Sequence, residues 1–360
     1  MPKQTAKNKK IIWIISLVVV VLLLFKTASF FSFAYQLIFN KNIELKKSDG
    51  NINVLLMGVG GGQHEGPDLT DTMIFSSISV EKNKIFLSSI PRDLWIPDIK
   101  EKINTAYAIG NGKQKDGGLI LSKAVVEKVV GQPIDYIVVV DFDGFIKAVD
   151  LVGGIDIDVE NAFDDYQYPN EDKRDDLCGH TLEEATVLIA SGSATEVFPC
   201  RYEHVHFDKG LQHMDGARSL IFVRSRYAIG DEGTDFARSR RQQKVINAFK
   251  DKIFSVGTIL NPLRIANLYS VLSDHIHTNI PQDKFDDFVK LGNKMKHASI
   301  QSAVIDVGDK ALNKKGLLIN PPIESFNGAW VLIPRVGNGN FSEIQNYITC
   351  ILASKVCEIK

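Results

Sequence analysis

The absences in this chain narrow the field before anything it contains. Net charge is almost missing: 42 lysines and arginines face 43 aspartates and glutamates, a formal balance of −1 over 360 residues. A whole-molecule attraction to nucleic acid is thereby excluded, and any basic site has to be local. No G-K-[ST] follows a glycine run, so there is no Walker-type phosphate loop, and Gln63 stands where the last glycine of G-x-G-x-x-G would fall. There are 4 cysteines but no C-x-x-C, and His204 and His206 are not spaced as ligands to them, which removes the common zinc patterns. No internal repeat or long low-complexity linker divides the chain. Nor does any acidic residue occur before Glu44.

That last absence marks the N-terminus. Lys3, Lys7, Lys9 and Lys10 lead into an uncharged apolar run from Ile11 to Phe25, followed by Lys26. As a helix the run spans roughly 22 Å, short of a hydrocarbon core of about 30 Å. Lys26 can snorkel, and Phe30, Phe31, Phe33 and Tyr35 can finish the crossing at the interface. The positive-inside rule keeps the basic leader in the cytoplasm and sends the rest outside. The expected organisation is a leader (1–10), a transmembrane anchor (11–33), a linker (34–50) and an extracytoplasmic domain (51–360), on a single-pass protein of the cell membrane. A cleaved signal peptide, with Ser32-Phe33-Ala34 as its small-x-small site, is the competing reading. Either way the bulk of the chain is exported, and paired cysteines suit that compartment. Of the possible pairings, Cys178–Cys200 and Cys350–Cys357 are favoured by proximity. The second requires the last helix to end between its cysteines, because seven helical residues separate Cα atoms by about 10 Å, too far for a bridge.

Within the exported part, residues 53–59 read as a buried strand running into Gly60, Gly61 and Gly62. Such a turn can present backbone N–H groups to phosphate, and it can equally be a plain turn. Two further apolar runs, Met73–Val80 and Lys84–Ile90, are joined by Glu81-Lys82-Asn83 and predict an antiparallel hairpin. A helix over Leu119–Val130, a strand at Tyr136–Phe142, a helix at Gly144–Val152 and a strand at Ile155–Val159 continue the alternation. The class predicted is α/β, a layered α-β-α sandwich with a mixed central sheet. Residues 160–213 are polar and read as an irregular insertion at the rim, with one helix from Thr181 to about Ala190. Helical patterns at 261–274 and 282–297 and a strand near Ala303–Val307 lead into a C-terminal lobe, residues 303–360.

Chemistry concentrates in Arg224–Gln243, RSRYAIGDEGTDFARSRRQQ. On a helix, Arg238, Arg241, Gln242, Val245, Phe249 and Ile253 share one face, while Arg240, Lys244, Asn247 and Asp251 share the solvent face. The stripe that becomes core therefore begins with inward-facing guanidinium groups, which are costly to bury without anions. A polyanion pocket answers that demand; a charged helix face with local salt bridges is the plainer account. Upstream, Asp68 and Asp71 precede one strand while Arg92 and Asp93 end another. Carboxylates so placed suit Mg²⁺, which takes one or two of them plus phosphate oxygens and water, although they can equally be loop caps and a surface pair.

Several motifs then coincide. N-V-L-L-x-G (Asn53–Gly58), T-D-T (Thr70–Thr72), S-I-P-R-D (Ser89–Asp93) and K-I-N-x-A-Y (Lys102–Tyr107) come first. D-G (Asp215–Gly216), R-x-R (Arg224–Arg226) and D-F-x-R-x-x-R-Q-Q (Asp235–Gln243) complete the order. Over roughly residues 50–255 this closely resembles the LytR-CpsA-Psr family of cell-wall ligases. The resemblance implies a membrane-anchored, Mg²⁺-dependent phosphotransferase that moves a glycan polymer from a polyprenyl-pyrophosphate carrier to peptidoglycan. It assigns Asp71 to the metal, and Arg92, Lys102, Arg224, Arg226, Arg238, Arg241 and Gln242 to the pyrophosphate. The catalytic set it implies is Asp71, Arg92, Asp93, Arg224, Arg226, Asp235 and Arg238. Two positions depart from the family pattern: Gly60 where a second metal carboxylate is usual, and Leu69 where arginine is usual. Asp68 is the candidate replacement ligand. A lipid tail would need an apolar groove, expected beside Val245 and Phe249. The rival functions are hydrolysis of the same lipid pyrophosphate by water, and binding of the lipid-linked polymer without turnover. Nucleic acid is not an expected partner.

Overall fold

The computed structural model describes residues 42–360 except 63, 65, 190, 191, 254–270, 272–274, 310–313, 354, 356, 358 and 360, with backbone only at 194, 235, 236, 309 and 314. The expected leader and anchor, and most of the helical pattern at 261–274, lie outside these residues. Among the described residues no helix is long and apolar enough to cross a membrane. Two compact units are distinguished; among the described residues one holds 42–46 with Ile280–Met295, and the other holds residues from Lys47 to Asn279 and from Lys296 onward. In the small unit the helix Phe285–Lys294 carries Lys290, whose ammonium donates to Asp286 at 2.6 Å one turn earlier.

The large unit is built on six strands: β1 (Ile52–Val59), β2 (Thr70–Ser79), β3 (Lys84–Ser89), β4 (Tyr136–Asp141), β5 (Ile276–Thr278) and β6 (Ser299–Val304). Their order across the sheet is β5-β4-β1-β2-β3-β6. β2 and β3 are antiparallel, as the short polar connection predicts, and β1 pairs antiparallel with β2, while β4 joins β1 and β6 joins β3 in parallel. The sheet is therefore mixed.

Alternation along the strands decides what covers each face. Leu55, Met57 and Val59 of β1, Met73 and Phe75 of β2, and Ile137 and Val139 of β4 pack with Val125, Val126 and Val129 of α1 (Gly117–Val130). Helix α2 (Phe142–Leu151) follows β4, α3 (Gly216–Arg224) follows the rim, and α4 (Asp235–Ile253) carries the arginine motif. Thr72 lies on the face opposite Met73, and its hydroxyl accepts from Gln242 of α4 at 2.9 Å, so α4 belongs to the second layer. Ala148, Val149, Phe222 and Val245 from α2, α3 and α4 form a core there with Ile155, Ile157 and Phe207. Ile344, Ile348 and Ile351 of α5 (Ser342–Leu352) complete the first layer. Helix α5 ends before Cys357, which lets Cys350 and Cys357 bridge with Cα atoms 5.9 Å apart; Cys178 and Cys200 also pair, at 5.6 Å.

Two expectations are corrected. Residues 160–213 are not irregular: Phe163–Pro169 pairs with Tyr202–Phe207, and Gly210–Met214 pairs with Ile155–Val159, all antiparallel. Aspartate, glutamate and histidine stand at many of their outward positions, with Tyr166 and Leu211 also exposed, and this hid the alternation. Nor does Val245 line an open groove; it is 3% exposed, inside the second core, with Phe249 packed against it.

Candidate functional site

The site begins at an irregularity. Gly58 pairs with Thr72 and Val59 with Thr70, so Asp71 is the extra residue of a β-bulge at the mouth of β2. A bulge re-aims its side chain away from the regular alternation. Arg92 sits in the turn after β3 and its Nη1 donates to Asp71 Oδ1. Arg92 Nε is 3.6 Å from Asp93 Oδ2, and Lys102 Nζ donates to Asp93 Oδ1 at 2.7 Å. The backbone stitches these motifs together. Asn104 N donates to the Arg92 carbonyl at 3.2 Å, and Thr70 Oγ1 donates to the Asn104 carbonyl at 3.3 Å. Three motifs far apart in sequence thus make one Asp71–Arg92–Asp93–Lys102 chain of alternating charge.

The second half comes from α3 and α4. Asp215 caps α3, its Oδ1 accepting from Arg218 N at 2.7 Å, which gives the D-G motif its structural reason. Helix α3 ends at Arg224 and the chain runs on extended through Ser225. Arg226 is half-buried near Arg92, Arg238 and Asp71. Burial pushes its guanidinium below the ordinary arginine value, Arg92 and Arg238 push the same way, and Asp71 opposes them. The Arg226 guanidinium makes no ion pair or hydrogen bond among the described residues. Arg226 therefore shares its surroundings with two further guanidinium groups and with the Asp71 carboxylate, which Arg92 pairs.

The other motif arginines are placed differently. Arg224 Nη2 donates to Glu171 of the rim at 2.9 Å, with its guanidinium 4.4 Å from the centre of the Phe142 ring. The same Glu171 oxygen lies 3.3 Å from His64 Nδ1. Arg241, expected at the ligand, is 3% exposed and fully engaged elsewhere. It donates to the carbonyls of Phe222 at 3.0 Å, Ser225 at 2.7 Å and Glu232 at 2.8 Å, and to the Glu232 carboxylate at 2.9 Å. Burial lowers its pKa to about 10, against the pull of Glu232. It is a framework arginine. Arg240, expected to face water, pairs with Glu160 and Glu232, each at 3.4 Å. The side chain of Asp235 lies outside the described residues.

Asp68 accepts from Asn111 Nδ2 at 3.2 Å, and no hydrogen bond or ion pair joins it to Asp71 among the described residues. A side chain at Gly60 would start 2.9 Å from His64 Cβ, so an aspartate there would have to displace His64. Among the described residues the one cluster of three potential metal ligands is Asp176–Cys178–Cys200, and both its sulfurs are in a disulfide. Asp71 alone fits a hard cation: Oδ2 has no partner among the described residues, and the side chain is 37% exposed. One protein carboxylate suits an Mg²⁺ ion completed by phosphate oxygens and water, not an ion held by protein alone.

Sequence reading missed Asp165, which organises the loop carrying Arg226. It is wholly buried, and its Oδ2 accepts from Ser225 Oγ at 2.7 Å, Arg226 N at 3.1 Å and Tyr227 N at 3.2 Å. One signal was available: Phe163 and Asp165 alternate onto the same face of their strand, so an acid stands on the buried side. Glu171 and His64 carried no such signal.

Comparison with known proteins adds to this geometry. The model of the LytR_cpsA_psr family matches residues 29–321. The polyisoprenyl-teichoic acid–peptidoglycan teichoic acid transferase TagV of Bacillus subtilis is 29% identical over 248 residues, 67% of this chain and 52% of that protein. This chain thus spans about half the length of that relative. The transferase TagU of Bacillus cereus, of the same description, is 28% identical over 255 residues, covering 69% of this chain and 67% of that protein. The crystal structure of B. subtilis TagV superposes with a TM-score of 0.54 at 22% identity, covering 86% of this chain and 100% of that one. Protein gbs0355 of Streptococcus agalactiae gives 0.55 at 21%, covering 86% and 91%. These two likenesses concern the fold.

Proposed function

Because the chain belongs to the LytR-CpsA-Psr family, we propose that it is a transferase that moves a glycan polymer from a polyprenyl-pyrophosphate carrier to a sugar hydroxyl of peptidoglycan, on the outer side of the membrane that anchors it. The observation that carries this reading is the gathering of Arg92, Arg238 and Asp71 around Arg226, whose guanidinium makes no ion pair or hydrogen bond among the described residues. A guanidinium held among like charges is stabilised by an anion with several oxygens, and a pyrophosphate supplies those oxygens in the geometry of the arginine fork.

Cleaving a pyrophosphate asks the protein chiefly for positioning and charge neutralisation. The acceptor hydroxyl attacks the glycan-bearing phosphorus, a P–O bond forms, and the bond to the bridging oxygen breaks. Polyprenyl phosphate leaves with that oxygen. Arg226 and Arg238 neutralise the charge growing on the phosphoryl oxygens, and Gln242, one turn after Arg238 in α4, is held by Thr72. The hydroxyl proton passes to one of the two carboxylates, Asp71 or Asp93: Asp93 is tied to Lys102 and Arg92, and Asp71 has one oxygen to offer, to the proton or to a cation but not to both. Mg²⁺, held by Asp71 together with the phosphates, would supply further neutralisation.

The test uses the purified full chain with a synthetic prenyl-pyrophosphate glycan and a peptidoglycan fragment. Glycan covalently joined to the fragment is expected, and Arg238→Ala should cut its formation by about 100-fold with the fold intact. Undiminished transfer by that variant would sink the assignment. Free glycan phosphate appearing equally with and without acceptor would make the protein a hydrolase. Gly60 favours one rival, a binder of lipid-linked polymers without turnover; tight binding with neither product is its signature.

A further inference from the structure

We infer that Asp165, in the rim strand Phe163–Pro169, is the positioning residue that sets the Arg224–Arg226 pair, and that it acts with Arg241 as a two-sided clamp on the intervening chain. This rests on the reading of the site as a pyrophosphate pocket.

The segment after α3 lies between two charged groups that never reach the ligand. On one side Asp165 is 0% exposed, with Oδ2 accepting from Ser225 Oγ, Arg226 N and Tyr227 N, and Oδ1 accepting from Gln167 N at 2.9 Å. On the other side Arg241 holds the Ser225 carbonyl at 2.7 Å, and Glu232 anchors Arg241 in turn. The main chain adds an isolated bridge between Asp165 and Ala228, with Ile229 N donating to the Asp164 carbonyl at 2.9 Å. Ser225 is itself wholly buried, so its hydroxyl and carbonyl are both fixed by charge.

The clamp accounts for an otherwise unfavourable arrangement. Arg226 is crowded by Arg92 and Arg238, and a free loop would relax by swinging Arg226 into water. A buried carboxylate that accepts the Arg226 amide prevents that movement without touching the guanidinium. Preorganised cations of this kind need no reorganisation when the anion arrives. Bulk packing does not require an acid at 165, since an apolar residue would fill the site; the requirement is for an acceptor of several donors at one point. The distal half of the rim, closed by Cys178–Cys200, is continuous with the strand that carries Asp165.

The test titrates inorganic pyrophosphate into the full chain by calorimetry, at a temperature well below every variant's melting point. Wild type, Arg226→Ala, Asp165→Asn and the double variant form a cycle, and Ser225→Ala is a milder variant that keeps the buried carboxylate. Arg226→Ala and Asp165→Asn should each weaken binding by about tenfold, and the double variant should be no weaker than either, because both remove the same aimed guanidinium. Ser225→Ala should shift affinity the same way by a smaller factor. If Asp165→Asn does not fold, Ser225→Ala alone decides. Unchanged affinity in a folded Asp165→Asn or Ser225→Ala protein, or losses that multiply in the double variant, would overturn the inference, since a scaffold role lowers stability without this coupling. A wild type that does not bind pyrophosphate would instead overturn the reading on which the inference stands.

Discussion

At the scale of single residues, Arg226 and Arg241 are chemically identical and physically opposite. Arg241 has its donors matched to three carbonyls and a carboxylate inside the protein. Removing it leaves those three carbonyls unmatched and takes from the buried Glu232 its closest cation, with only Arg240 among the described residues remaining at 3.4 Å. Arg241→Ala is therefore expected to cost about 3–5 kcal/mol, measured by denaturant unfolding. The Arg226 guanidinium has no ion pair or hydrogen bond among the described residues, and two like charges nearby outweigh the pull of Asp71. Arg226→Ala relieves that repulsion, so its stability should be equal to or above wild type while pyrophosphate binding falls. A large loss of stability in Arg226→Ala would show that the guanidinium is structural and would remove the central observation behind the proposed site.

At the scale of elements, the rim does more than its composition suggests. Glu171 places a carboxylate on Arg224 and shares it with His64. A phosphate reaching Arg224 has to replace that carboxylate, so Glu171→Gln should strengthen pyrophosphate binding by a few-fold, as expected when a charge-assisted contact is removed from the free state only. Weaker binding in that variant would mean that Glu171 orients Arg224 instead of competing for it. The rim strands also respond to pH. Asp164, with Asp208 second, holds His206 above its ordinary value of 6.5, and His204 and His206 hold Asp164 below 3.8. The His206 contribution is full below pH 6.5 and is lost as pH rises through the raised value. The Asp164 contribution is full above 3.8 and is lost as pH falls through the lowered one. The protection of amides in Tyr202–Phe207, taken relative to the intrinsic exchange rate at each pH, should accordingly be greater at pH 5.5 than at pH 8.5, a difference that Asp164→Asn abolishes.

The same scale explains what was legible. The strand β1, the β2–β3 hairpin, α1, α2 and both disulfides follow from apolar runs, short connections and cysteine spacing. The rim strands did not, because YEHVHF turns histidine and glutamate to water and leaves one buried valine between them. The motif order singled out the arginines but could not separate them. Helical periodicity puts Arg238, Arg241 and Gln242 on one face, and only the packing of α3 against α4 decides that Arg241 meets carbonyls while Gln242 meets Thr72. The bulge at Asp71 was equally hidden, since register is set between strands.

At the scale of the whole molecule, the proposed placement outside the membrane and the cysteine chemistry have to agree. The described fold pairs all four cysteines: Cys178–Cys200 closes the distal rim, and Cys350–Cys357 ties the chain end to α5. Both bridges are accessible enough to be kept reduced in a cytosol, where thiol systems oppose disulfides, and both are stable in an oxidising compartment. The proposed topology, with Lys3–Lys10 inside and the fold outside, therefore predicts a definite redox state in living cells. Cells lysed directly into acid and treated with a maleimide polymer should yield full-length protein with no added mass, and with four additions after reduction. Replacing the four N-terminal lysines by glutamate weakens the charge bias that orients the segment, so a fraction of the chains should then carry free thiols and lose activity. Free thiols in the unaltered protein would place the fold in a reducing compartment, away from any peptidoglycan acceptor, and the transferase reading would fail with the topology.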